Sequence, residues 1–176
     1  MSLNLRADLT GLNRMLDQLG TDLQSAARPA AQAAADVFYR AIKANVGAIG
    51  KVSGNLERSL YQAYSKDHSA PGRAVYHISW NARKAPHGHL VEFGHIQRYR
   101  VYLNKHGEWR TLIRPAMVGT KKPARNAPQA VKDAYYVPLS APRQVAARPF
   151  IRPALARAAE ASAAAEGVLL TKLGIL

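Results

Sequence analysis

The sequence predicts an α+β fold: an antiparallel sheet of hairpins packed by a long N-terminal helix and a C-terminal helix, with an extended basic loop and hairpin insertion. Apolar residues recur at helical spacing near both ends of the chain. In the middle, apolar and polar residues alternate. The segments follow one another in blocks, strand, helices, strands, then helix, which favours helices laid on an antiparallel sheet.

Leu3 and Leu5 alternate with polar neighbours, the pattern of a short strand over residues 2–7. Leu9, Leu12, Met15, Leu16 and Leu19 share a helical face that stops at Gly20, a residue suited to a helix end. Thr21-Asp22-Leu23-Gln24 has the form of a capping box. It opens a second helix with apolar positions at Leu23, Ala27, Ala30, Ala34, Val37, Phe38, Ala41, Ile42 and Val46. Pro29 requires that this helix kink there or begin near Arg28. Gly47, Gly50 and Gly54 end it, and residues 53–60 allow one or two helical turns with Leu56 and Leu60 on one face.

Residues 60–65 and 74–81 alternate around a loop containing Pro71-Gly72, which predicts a hairpin. Residues 96–102 and 109–113, joined through Asn104-Lys105-His106-Gly107, predict a second one carrying Arg98, Arg100, Lys105, Arg110 and Arg114. Pro115, Pro123, Pro128, Pro138, Pro142 and Pro149 imply an irregular segment over residues 114–149, with a strand or turn at Tyr135-Tyr136-Val137. Residues 146–172 predict the final helix, with Pro149 or Pro153 in its first turn.

The 176 residues, 48% of them hydrophobic, suit one domain over 1–176, with the basic hairpin and Pro-rich loop inserted at about 95–146. Without cysteine there is no disulfide, thiolate metal site or Cys nucleophile. No stretch approaches the roughly 20 apolar residues of a membrane span. The first residues lack the features of a secretory signal, so a cytoplasmic origin is expected. The net charge of +14 is uneven: residues 95–152 hold 12 Lys and Arg against 2 Asp and Glu, a net +10. Such a field attracts polyanions, nucleic acid first among them.

The densest chemistry lies in Ala85–His95, where His87, His89 and His95 stand near Glu92. The spacing does not suit a metal. His89, Glu92 and His95 at i, i+3 and i+6 drift around a helix, and Gly88 and Gly94 weaken the helix itself. No carboxylate pair, nucleophile elbow or phosphate-binding glycine loop accompanies them, so neither catalysis nor a cofactor is expected. The residues read instead as a folding and docking motif. Leu90, Val91 and Phe93 would pack, and Glu92 would find a cationic partner in Arg148 or Arg152, because an unpaired buried carboxylate is costly. The second half of the motif is Arg148-Pro149-Phe150-Ile151-Arg152-Pro153, two prolines fixing the approach to the last helix and Phe150 offering an anchor.

Leu90-Val91-Glu92-Phe93-Gly94, the later Ala147-Arg148-Pro149-Phe150-Ile151-Arg152-Pro153-Ala154 and the upstream Ser53–Leu60 segment together resemble tail-component proteins of tailed bacteriophages. That family includes neck, head-to-tail joining and tail-completion proteins of the lambda minor tail protein Z type. The resemblance implies a non-enzymatic virion protein assembled in the host cytoplasm, forming a hexameric or dodecameric homo-oligomeric ring in the neck. Its implied neighbours are the head connector or adaptor and the tail terminator or tail-tube proteins. Residues 95–146 depart from the family pattern. There Arg98, Arg100, Lys105, Arg110, Arg114, Lys121, Lys122 and Arg125 are candidates for contact with double-stranded DNA in the channel or with an acidic protein. The competing reading is a free nucleic-acid-binding protein stacking bases on Tyr99, Tyr102 and Trp109.

Overall fold

The computed structural model describes residues 10–50 and 53–175 as two compact units. Its class is α+β, one long helix and several short ones with three two-stranded sheets among the described residues. The strand expected over residues 2–7 lies outside the described residues. No described helix is long and apolar enough to cross a membrane.

The first unit comprises Met1–Ala44, Leu60–Ser79 and Arg152–Leu176. Helix α1 runs unbroken over Thr10–Ile49, so the expected stop at Gly20 and restart at Thr21 do not occur. The local reason is visible in the hydroxyls: Thr21 Oγ1 donates back to the Asp17 carbonyl at 3.0 Å instead of capping a new start, and Ser25 Oγ donates to the Asp22 carbonyl. Gly20 and Pro29 are carried inside the helix. Both are unfavourable there, about 1 kcal/mol for Gly and about 3 for Pro relative to Ala.

From Ala26 onward α1 is buried on two sides, Ala26, Ala30 and Val37 along one and Ala35 and Ile42 along the other. Nearer its start, Leu16, Leu19 and Leu23 stay 42–55% exposed. The hairpin of β1 (Leu60–Tyr64) and β2 (Tyr76–Trp80) forms as expected. In this unit Gln62 Nε2 donates to Asp36 of α1 at 2.8 Å, and the Arg28 guanidinium lies over the Tyr64 ring. The last helix is shorter than expected. Residues 146–151 are not helical, Arg152–Arg157 is a 3-10 turn, and only Ala158–Lys172 is α-helix, α5. Pro149 and Pro153 withhold the N–H groups that an earlier helix would need.

The second unit comprises Asn45–Ser59 and Trp80–Ile151. Helix α2 (Asn55–Ser59) supplies the expected turn, and α3 spans Gly88–Phe93. The second hairpin is smaller than predicted and partnered differently. Strand β3 (His95–Tyr99) pairs antiparallel with β6 (Pro138–Val145), His95 opposite Val145 and Gln97 opposite Arg143. Only β4 (Val101–Leu103) and β5 (Trp109–Thr111) form the hairpin around Asn104–Gly107. The proline-rich segment is ordered too, with a 3-10 turn at Pro115–Met117, helix α4 at Gln129–Tyr135, and then β6. β6 admits Pro138 and Pro142 because it has a neighbour on one side only, which leaves an edge where no amide donor is needed. Tyr136 and Val137 bind this segment to the hairpin: Arg100 N–H donates to the Val137 carbonyl and Val137 N–H to the Leu112 carbonyl.

Gly20 has nothing near the position of an added Cβ. Gly20→Ala is therefore expected to raise stability by about 1 kcal/mol through helix propensity, read as a higher midpoint in chemical denaturation.

Candidate assembly site

The site grows from the end of β2. Asn81 Oδ1 accepts the backbone N–H groups of Arg83 and Lys84, folding the chain into a turn, and the Asn81 carbonyl accepts that of Ala85. Ala85 is fully buried, and its carbonyl accepts the Trp80 indole N–H at 3.1 Å. Helix α3 begins against the same indole. A Cβ on Gly88 would collide with the Trp80 ring, so glycine is required for this close approach.

One turn later Glu92 is 2% exposed. Its Oε2 accepts the backbone N–H of Phe150 at 2.7 Å and of Ile151 at 3.0 Å. The residues preceding them are held alongside, since Arg148 N–H donates to the Val91 carbonyl at 2.8 Å. Phe150 itself has no exposed surface, with its ring 5.6 Å from that of Trp80 in an edge-to-face arrangement and its carbonyl accepting Asn45 Nδ2 at 3.0 Å. Gly94 completes the arrangement at φ +71, where a Cβ would stand 2.7 Å from the Val145 carbonyl oxygen.

The two halves of the predicted motif therefore meet through Glu92, Val91, Arg148 and Phe150. Phe93 is 66% exposed, because α3 turns the neighbouring Glu92 inward and leaves Phe93 on its outer side. Leu90 and Val91 are half-buried, Pro149 is half-buried, and Arg148, Arg152 and Pro153 are exposed. The main-chain donors to Glu92 were not foreseen from the sequence. Nor were Trp80, Gly88 and Asn45. Trp80 was legible as an aromatic at a strand end, whereas nothing marks Asn45 within the apolar pattern of α1.

The histidines separate. His87 and His89 are exposed around the start of α3, and His95 opens β3 opposite Val145. Desolvation lowers the pKa of His87, and charge on His89 lowers it further. Among the described residues no three His, Asp or Glu side chains gather as a metal set.

Of the basic candidates, Arg98 lies on β3, Arg100 just before β4, Lys105 in the turn, Arg110 on β5, Arg114 before the 3-10 turn, and Lys121, Lys122 and Arg125 in the connection to α4. All eight are exposed. Glu108 accepts Arg110 at 2.5 Å and Asn104 Nδ2 at 3.0 Å, and these bonds hold its carboxyl below the usual carboxylate range. Asp133 accepts the Tyr99 hydroxyl and Gln129 Nε2, each at 2.8 Å. Desolvation, reinforced by Asp133, raises the pKa of Tyr99.

Two substitutions test the site. Glu92→Ala leaves the two amides without their acceptor and is expected to lower stability by about 3 kcal/mol, while Glu92→Gln keeps an acceptor oxygen and costs less; urea unfolding curves give the comparison. Gly94→Ala must both strain a left-handed backbone and displace Val145, for an expected loss of about 1–3 kcal/mol in the same measurement.

Neither a curated protein nor a solved structure matches the chain. Residues 11–94 do match a family, HK97-gp10-like, described as "Bacteriophage HK97-gp10, putative tail-component". The matched stretch includes Glu92 and Gly94 but not the Arg148–Pro153 segment. Over just under half of its length, the chain is thus similar to a tailed-phage tail-component family.

Proposed function

We propose that the protein is a non-enzymatic structural component of a tailed-phage virion that forms a ring in the neck, joining the head connector to the tail tube and surrounding the DNA channel. The family match over residues 11–94 carries this reading. It ends where the basic tract begins, which supports treating about 95–146 as an insertion into a single tail-completion-like domain. Two surfaces left uncovered in the single chain suit contacts between copies: the Leu16, Leu19 and Leu23 stripe of α1, and the β4–β5 ribbon with Leu103 49% and Trp109 60% exposed. Unlike surfaces on one chain build a ring when each copy's first surface meets its neighbour's second at a fixed rotation. The other partners in this reading are the head connector or adaptor, the tail terminator or tail-tube proteins, and the packaged DNA.

Native mass spectrometry with negative-stain electron microscopy tests the proposal. A hexameric or dodecameric ring is expected. A chain that stays monomeric at every concentration while binding nucleic acid tightly at physiological salt would instead identify a free nucleic-acid-binding protein.

A further inference from the structure

The β4–β5 ribbon has two unlike faces. Tyr102 pairs with Arg110, whereas Val101 pairs with Thr111 and Leu103 with Trp109. Paired residues of antiparallel strands project to the same side. Leu112 N–H donates to the Arg100 carbonyl at 2.8 Å, which extends the ladder by one step. Arg100, Tyr102 and Arg110 therefore share one face, and Val101, Leu103 and Trp109 share the other.

The charge on the first face is not offset from within its own tract. Residues 95–152 contain two acidic side chains, Glu108 and Asp133, against 12 basic ones. Both acids are occupied locally, Glu108 by Arg110 and Asn104 and Asp133 by Tyr99 and Gln129. The excess positive charge calls for a polyanion.

We propose that the Arg100–Tyr102–Arg110 face, extended by Lys105 at the turn, grips the phosphate backbone of double-stranded DNA without reading its sequence. The aromatic residues decide between duplex and single strand. Bases stack on rings presented together, but the Tyr99 hydroxyl is tied to Asp133, and Tyr102 and Trp109 lie on opposite faces. What the face does present is guanidinium groups, whose forked donors match phosphate oxygens. Glu108 competes with the phosphates for Arg110 and tempers the grip. The inference deepens the neck-ring reading, in which the DNA is the packaged genome.

The test is fluorescence anisotropy of a labelled short duplex with the intact protein, across about 50–200 mM salt. Arg100→Ala and Lys105→Ala should each reduce the slope of log affinity against log salt by about 1. Glu108→Gln should tighten binding, and Trp109→Ala should leave it unchanged. Unaltered slopes in the Arg100 and Lys105 variants would overturn the proposal. So would tighter binding of a single strand that is lost in Trp109→Ala, or displacement of the duplex by poly-glutamate as effectively as by unlabelled duplex, which would point to an acidic protein partner. Sizing the same samples keeps the two readings apart: a monomer that binds duplex as described refutes the ring alone, and a ring that does not bind refutes the DNA contact alone.

Discussion

The second unit depends on one buried carboxylate. Glu92 takes two main-chain N–H groups from Phe150 and Ile151, and that pair of bonds fixes where the chain returns after more than fifty intervening residues. A carboxylate accepting amides is stronger than a neutral acceptor, and its removal is costly because the amides would lose their partner in a dry setting. The surrounding residues serve this contact. Gly88 admits the Trp80 indole, Trp80 shields Phe150, and Gly94 lets the backbone pass close to Val145.

The basic ribbon is built on different principles. Its residues are exposed, its strands are three residues long, and its links to the rest of the second unit are backbone bonds through Val137 and Leu112. A two-stranded hairpin of this size is marginal by itself. Its Arg, Tyr, Leu and Trp side chains are thus spared from core packing. In contrast with the glutamate site, where burial dictates residue type, surface charge and register dictate it here.

How much of this was legible follows from the range of each interaction. The hairpin at residues 60–81, the helical turn at 55–59 and the turn at Asn104–Gly107 were readable because local alternation and turn chemistry determine them. Gly20 misled because a helix interior can absorb about 1 kcal/mol when its neighbours propagate it. The β3–β6 pairing was hidden, since it joins His95 to Val145 across the chain and proline density suggested the absence of a strand. At the site, the motif residues stood out as a group, but the main-chain donors to Glu92 did not: every residue has an amide, so no side-chain pattern announces which ones a carboxylate will choose. The exposure of Phe93 was hidden for a related reason, as a six-residue helix offers too little periodicity to say which neighbour turns inward.

The separation between Glu92 and its amides also sets an order of events in synthesis. The carboxylate is translated 58 residues before the Phe150 N–H that it holds. Chains emerge at about 5–20 residues per second, so the site stays open for several seconds and closes only after the ribbon, α4 and β6 have left the ribosome. A contact spanning such a distance also forms slowly, because loop closure must precede it. The chain therefore acquires its finished second unit only as a nearly complete molecule.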